Sequence, residues 1–85
     1  MSNDGDKFLA SIRARIESRV REQLVRHLRV DPTSDRKQIV EIQMKQEREK
    51  LERLIEEHEE NPAMSDAYQA IIDWLPELER DIKRR

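Results

Sequence analysis

The chain has 85 residues, of which 42% are charged and 35% hydrophobic, and its formal net charge at pH 7 is −2. A chain of this length forms at most one small domain, here taken as residues 1–85, with a thin core. The absence of cysteine excludes disulfides and thiolate chemistry, and no apolar run is long enough to cross a bilayer.

Helix-forming residues dominate the composition. Ala, Glu, Lys, Leu and Arg make up about half of the chain, which has one Gly and three Pro, and this is typical of long helices and coiled coils. We therefore predict an all-α fold of three helices, at about residues 6–29, 35–60 and 63–84, with residues 1–5 flexible. Because the start, MSNDGDKF, is polar and acidic, it does not resemble a secretory signal, and we expect a cytoplasmic protein without membrane insertion.

The first predicted helix, residues 6–29, has an apolar stripe whose members recur mostly at steps of four. They are Phe8, Leu9, Ile12, Ile16, Val20, Leu24 and Leu28. Steps of four are wider than the 3.6-residue repeat, so the stripe winds around the helix. Such a helix can contact different neighbours at its two ends.

A second row on this helix is basic. Arg15, Arg19, Arg26 and Arg29 recur at helical spacing, with Glu22 between them. Four arginines on one face can follow the phosphates of a nucleic acid or bind acidic side chains. Since residues 31–61 are strongly acidic and no aromatic residue is interleaved for base stacking, we favour a solvated or salt-bridged face.

The second predicted helix, residues 35–60, follows the turn VDPTSD, in which Asp35 can serve as an N-cap. Apolar residues cluster at its two ends, as Ile39, Val40, Ile42 and Met44 and as Leu51, Leu54 and Ile55. Between them the stretch KQEREK, residues 45–50, offers no core residue. The pattern predicts a rod with a solvated midsection.

The third predicted helix, residues 63–84, follows the turn ENP and can be capped by Asn61 or Ser65. Its apolar residues alternate steps of four and three, which is a heptad seam. The seam residues are Met64, Tyr68, Ile71, Leu75, Leu78 and Ile82. Both connections are short, which favours antiparallel neighbours in a helical hairpin or three-helix bundle with coiled-coil character.

Pro76 lies in the middle of this third segment. A proline inside a helix removes the hydrogen bond to the carbonyl four residues earlier, here that of Ile72. Because Leu75 and Leu78 keep the phase of the seam on either side, we predict one helix, kinked near Ile72. The alternative is a helix break with Pro76 in the first turn of a new helix.

Trp74 lies beside the seam, on the flank that it shares with Ala67 and Ala70. A large ring next to two small residues can form a shallow docking surface, or it can cover the edge of the core against the first helix. We favour the core edge, and we name as possible partner contacts Tyr68, Trp74, Leu75, Leu78 and Ile82.

Catalytic and metal-binding patterns are missing from the sequence. Gly5 is the only glycine, so there is no Gly-rich phosphate loop. His27 and His58 follow Leu24 and Ile55 by three residues, so neither has the ligand one turn away that helical metal sites require. We therefore expect no enzyme activity, no cofactor and no metal.

The segment Leu51–Trp74, with NPAMSDAYQAIIDW at its turn, resembles the hairpin of type III secretion needle subunits and their small helical co-chaperones. The resemblance covers about a quarter of the chain, and the helix after the turn is shorter and more charged here. Small sporulation phosphatases are also helical hairpins, but IIDWLPELE stands where their Ser-Gln-Glu-Leu-Asp signature would be. No functional residue is transferred from either family.

These observations favour a non-catalytic helical module that binds a protein partner or further copies of itself. Such a module could be an adaptor, a small chaperone or an assembly subunit. One alternative is a nucleic-acid-binding regulator that uses the arginine row of the first helix. The other is a component or co-chaperone of an assembly of the secretion-needle type.

Overall fold

A computed structural model describes residues 4–84 and contains three helices, α1 (Asp4–Val30), α2 (Arg36–Glu57) and α3 (Pro62–Lys83). The predicted all-α fold of three helices is confirmed. Of the N-terminal segment predicted to be flexible, residues 1–3 lie outside the described residues, and residues 4–5 belong to α1. In the described part of the chain, no helix is both long enough and apolar enough to cross a membrane.

The α1–α2 connection is stabilised by two aspartates. The Asp31 carboxylate accepts hydrogen bonds from the backbone N–H and the hydroxyl of Thr33, and these bonds lower the pKa of Asp31. Asp35 is the N-cap of α2, as predicted, and its side chain accepts a 3.0 Å hydrogen bond from the backbone N–H of Lys37. Helix α2 therefore begins at Arg36.

The α2–α3 connection begins three residues earlier than the sequence predicts, because α2 ends at Glu57. His58 closes the helix through its backbone N–H, which donates to the carbonyls of Leu54 and Ile55. Asn61 rather than Ser65 caps α3 and accepts a 3.3 Å hydrogen bond from the backbone N–H of Met64. Pro62 occupies the start of α3, where no N–H partner is needed.

Helices α1 and α3 run parallel, and α2 is antiparallel to both. Phe8 and Arg21 of α1 contact residues 68 and 81 of α3, in the same order along both helices. Lys83, at the end of α3, contacts Glu41 near the start of α2. The chain thus forms a three-helix bundle, in which α2 and α3 share the largest interface.

The bundle is elongated, with extents of 47 × 26 × 18 Å and a radius of gyration of 14.4 Å. A compact chain of this length would have a radius of gyration of about 12 Å. The coiled-coil character predicted for the α3 seam stays a prediction.

One core runs through all three helices. Its buried members are Ile16, Val20, Leu24, Val40, Met44, Leu51, Tyr68, Ile71, Ile72, Leu75, Leu78 and Ile82. The α3 seam is thus covered by the chain's own α1 and α2. Met64, at the start of the seam, is partly buried and packs against the same core.

Pro76 does not interrupt α3, which is a single helix from Pro62 to Lys83. Leu75 and Leu78, on either side of the proline, are both buried. The predicted single helix is therefore correct, and the alternative of a helix break at Pro76 is wrong. The kink predicted near Ile72 stays a prediction. Since proline has no N–H, the carbonyl of Ile72 lacks its usual helical donor.

Three positions differ from the predicted pattern. Glu47, within the stretch 45–50 that was predicted to be solvated, is only 2% exposed. Phe8, assigned to the apolar stripe of the first helix, is 39% exposed, and Ile42, assigned to the first apolar cluster of the second helix, is 50% exposed. The other members of the α1 stripe are buried or pack against the core, so α1 keeps the rotation that its apolar stripe predicts.

Candidate functional site

The proposed partner contacts on the α3 seam lie inside the bundle. Tyr68, Leu75, Leu78 and Ile82 are all buried, and Ile82 has no exposed surface. Their contacts in this structure are with the chain's own helices, so they hold the bundle together.

Trp74 occupies the edge of the core between α3 and α1. Its ring is partly buried and packs against the core, and the guanidinium carbon of Arg13 lies 5.5 Å from the ring centroid. An arginine at this distance over an indole makes a cation–π contact. This position agrees with the core-edge interpretation of Trp74 rather than with a free docking surface.

Three rings gather at the end of the bundle where α2 meets the start of α3. The ring centroid of Tyr68 lies 6.4 Å from that of Phe8 and 5.9 Å from that of His58, in an edge-on arrangement with His58. The Nδ1 atom of His58 is 3.1 Å from the carbonyl oxygen of Leu54. These contacts give His58 a structural position at the end of α2. Among residues 4–84 no cluster of His, Asp and Glu is arranged to hold a metal ion.

Glu47 of α2 forms the central polar contact of the bundle. Its two carboxylate oxygens accept hydrogen bonds of 2.9 and 2.7 Å from Nε and a terminal nitrogen of Arg19. This two-point geometry is the strongest that a guanidinium offers a carboxylate. The hydrogen bond to Glu47 raises the pKa of Arg19 above its usual value. Arg19 is therefore occupied by an acidic side chain of its own chain.

The rest of the arginine row faces solvent. Arg15, Arg26 and Arg29 are exposed, and in the described part of the chain none of them forms an ion pair within 4 Å. Arg21, which lies outside the row, instead connects Glu17 of α1 with Asp81 of α3 at 2.9 and 3.2 Å. Of the six arginines of α1, Arg19 and Arg21 form ion pairs with other helices, Arg13 lies against Trp74, and Arg15, Arg26 and Arg29 are exposed.

The far end of α3 is held by a second set of polar contacts. The Lys83 ammonium lies 2.8 Å from Glu41 of α2 and 3.0 Å from Glu79 of its own helix, and these hydrogen bonds raise the pKa of Lys83. A terminal nitrogen of Arg36 donates a 2.9 Å hydrogen bond to the backbone carbonyl of Ile82. The C-terminal turn of α3 is therefore fixed against the start of α2.

Two open grooves flank α2. The Pro76 groove, between α2 and α3, has a volume of about 660 Å³. Its floor is apolar and its rim is charged, with the lining residues Glu41, Met44, Lys45, Arg48, Ile72, Leu75, Pro76, Glu79 and Arg80. The carbonyl that Pro76 leaves without a helical donor belongs to Ile72, one of these lining residues.

The Phe8 groove, on the other side of α2, has a volume of about 320 Å³. Its lining residues are Phe8, Ile12, Arg15, Ile16, Arg19, Glu47, Lys50, Leu51, Leu54 and Tyr68. Six of these are apolar or aromatic, three are basic, and the one acidic residue is the buried Glu47. Both the exposed ring of Phe8 and the exposed Arg15, the first residue of the arginine row, line this groove.

The burial of Glu47 has a signal in the sequence. Val40, Met44, Leu51 and Leu54 recur at helical spacing, and the one step that is missing falls at position 47. A glutamate at an inward position of a helix requires a basic partner on a facing helix. The arginine row of α1 supplies it, but the choice of Arg19 depends on how the two helices align.

Comparisons with protein-family models, with curated proteins and with solved structures find no significant match to this chain. The resemblance of residues 51–74 to secretion-needle hairpins therefore stays a prediction.

Proposed function

We propose that the chain is a non-catalytic, cytoplasmic helical module that binds a protein partner through the grooves beside α2. The observation that supports this proposal is the presence of an open groove with an apolar floor and a charged rim on each side of that helix. Grooves between helices are common docking sites for the apolar face of a partner helix. The apolar floor would supply affinity, and the rim charges would select the partner and its orientation.

Ion pairs between helices support this role because they hold the groove walls in place. Arg19–Glu47 joins α1 to α2, Arg21–Asp81 joins α1 to α3, and Lys83–Glu41 joins α3 to α2. A partner that docks onto walls already fixed loses less conformational entropy on binding than one that must order them. The buried seam of α3 contributes indirectly, by holding the bundle that carries the grooves.

Site-specific photocrosslinking in cells tests the proposal. A benzophenone amino acid is placed on the rim of the Phe8 groove at Arg15 or Lys50, on the rim of the Pro76 groove at Lys45 or Arg80, and in the α2–α3 turn at Glu59 as a control. We expect one protein to be crosslinked from groove positions and not from the turn. Equal crosslinking from all five positions, or none from any groove position, would argue against an interaction module.

The second occupant that we consider for these grooves is another copy of the chain. Sedimentation velocity across protein concentration separates the cases, because a module for a different partner stays monomeric and a self-assembling module does not. A monomer that melts cooperatively agrees with the closed bundle described here. A dimer would make a second copy the partner, either in one of the grooves or in an open hairpin whose seam is shared between chains.

The rival function is nucleic-acid binding by α1, and the exposure of Arg15, Arg26 and Arg29 is the observation in its favour. Against it, Arg19 is bound to Glu47, and Glu22 interrupts the row. A salt-titrated binding assay with duplex DNA and single-stranded RNA tests the rival. Affinity that falls steeply with salt and is lost on replacing these three arginines by alanine would establish it.

A further inference from the structure

We propose that the Phe8 groove docks an acidic amphipathic helix of a different protein. This inference rests on the proposed function and specifies the site and the chemistry of the partner. Of the two grooves beside α2, this one has the larger share of apolar lining residues and the greater excess of positive charge.

The shape of the groove suits a helix. From Phe8 to Arg19 the α1 wall extends about 16 Å, or three helical turns. The floor between α1 and α2 includes Ile12, Leu51 and Leu54, and the ring of Phe8, 39% exposed, stands at one end. Partly exposed aromatic side chains at the end of an apolar groove are suited to contact large apolar side chains of a partner.

The charge of the groove selects an acidic partner. Arg15, Arg19 and Lys50 line it, and the only carboxylate in the lining is Glu47. Glu47 is buried and already accepts two hydrogen bonds from Arg19, so its negative charge is compensated inside the protein. Arg15 has no ion pair within the described residues, and Lys50 lies 3.7 Å from Glu47. A helix with carboxylates beside its apolar face would pair with both.

A second copy of the chain does not offer such a helix. The large apolar side chains that the described residues expose are Phe8, Val25, Val30 and Ile42. No two of them stand three or four residues apart on one helix, so they form no apolar face of the kind that the groove accepts. The apolar faces of the three helices are already used in the core. The partner is therefore a different chain.

Selection from a library of helical peptides tests the proposal and does not require the natural partner to be identified. A stable helical scaffold displays about three turns with randomised surface positions, and the intact protein is the target. We expect the selected peptides to carry apolar residues at steps of three and four, with Asp or Glu beside them. Exchanging those carboxylates for amides should weaken binding about tenfold, which corresponds to about 1.4 kcal/mol.

Two matched double variants test whether the selected peptides bind in the Phe8 groove. Arg15→Glu/Lys50→Glu reverses the two exposed rim charges and should weaken the selected peptides about tenfold or more, because repulsion replaces attraction. Arg26→Glu/Lys37→Glu makes the same change in net charge at exposed positions outside both grooves. It should leave affinity within about twofold, a change of less than about 0.5 kcal/mol. Circular dichroism confirms that both variants keep their helices.

Three outcomes would overturn the proposal. One is a selection that yields no binder, or only neutral or basic sequences. Another is a set of acidic binders that respond equally to both double variants. The third is a dimer in sedimentation velocity that Arg15→Glu/Lys50→Glu dissociates, since it would make a second copy the occupant. If photocrosslinking captures a partner only from Lys45 and Arg80, the interaction module stands and this site fails.

Discussion

Glu47 is a carboxylate in a place where the spacing of its neighbours calls for an apolar residue. Burying a charge costs several kcal/mol unless it is paired and hydrogen-bonded. Arg19 supplies both conditions through two hydrogen bonds, while its own side chain stays 46% exposed. We therefore expect the pair to favour the alignment of α1 against α2 that places Arg19 beside the buried carboxylate.

Replacing Arg19 by methionine leaves the Glu47 carboxylate buried without its two donors. We expect Arg19→Met to lower the free energy of unfolding by about 1–3 kcal/mol. Restoring an apolar contact in Arg19→Met/Glu47→Met should recover most of that loss. Urea denaturation measures the free energy of unfolding of both variants.

The matched control for this pair is Arg48→Met, which breaks a 3.6 Å ion pair with Glu52 in which both side chains are more than half exposed. Its effect should stay below about 0.5 kcal/mol. An Arg19→Met variant as mild as this control would show that Glu47 does not require the two hydrogen bonds from Arg19.

Asp31 makes the stability of the turn after α1 depend on pH. Its pKa is lowered in the folded protein by hydrogen bonds from the Thr33 hydroxyl, the Thr33 backbone N–H and the Ser34 hydroxyl. A lowered pKa means that the charged carboxylate stabilises the fold above its ordinary pKa of 3.8, and that this contribution is lost as the pH falls through the lower, folded value.

We therefore expect Asp31→Ala to lower the thermal midpoint at pH 7 and the difference from the unsubstituted chain to shrink as the pH falls below 3.8. Glu59→Ala, in the other turn, is the control for simple loss of a surface carboxylate. Thermal unfolding followed by circular dichroism from pH 7 to about pH 3 measures the difference. A difference in thermal midpoint that is as large at about pH 3 as at pH 7 would show that the Thr33 hydrogen bonds do not depend on the charge of Asp31.

At the level of elements, α3 combines the main seam of the core with an internal proline. The seam needs Leu75 and Leu78 buried on one face, and both are. Pro76 itself is exposed and lines the groove between α2 and α3. We therefore expect the proline to reduce the local stability of α3 beside the Pro76 groove, which is one of the two grooves considered for a partner.

Substituting Pro76 by alanine restores a backbone N–H for the carbonyl of Ile72. We expect Pro76→Ala to raise the free energy of unfolding by about 1–3 kcal/mol, since proline is about 3 kcal/mol less favourable than alanine inside a helix. Glu77→Ala, at the next exposed position, should change stability by less than about 0.5 kcal/mol. A Pro76→Ala variant that is less stable than the unsubstituted chain would mean that the packing of α3 requires the proline.

On the scale of the whole molecule, the three helices differ in how extensively they contact one another. Helices α2 and α3 share the largest interface, and α1 is joined to them through a narrower apolar strip together with the ion pairs of Arg19 and Arg21. We therefore expect α1 to be the helix that detaches at the lowest cost in free energy.

Native-state hydrogen exchange measures this order of stability. We expect amides of α1 outside the segment from Ile16 to Leu24 to exchange through openings that cost less than global unfolding, while the centres of α2 and α3 exchange only with it. Arg19→Met should accelerate exchange in α1 more than in α3. Equal exchange free energies in all three helices would mean that the bundle opens as one unit.

Much of the fold follows from local rules. The spacing of Val20, Leu24 and the α3 seam, together with the caps at Asp35 and Asn61, predicts three helices and their ends to within a few residues. It also predicts that α3 continues through Pro76. The exposure of Phe8 and the choice of Arg19 as the partner of Glu47 do not follow from the same rules, because each depends on how a helix aligns with neighbours that are distant in sequence.

The residues alone specify the type, number and approximate length of the helices, because capping and apolar spacing act within one or two turns of the chain. They also show that the ridge from Met64 to Ile82 must be covered. The sequence does not show which helices cover this ridge, which residue pairs with Arg19, or where the two grooves beside α2 lie. These features are decided by how the three helices are rotated and shifted along their axes when they pack. The rotation and position of each helix depend on the contacts of all three helices at once. They therefore cannot be predicted from any single segment of the sequence.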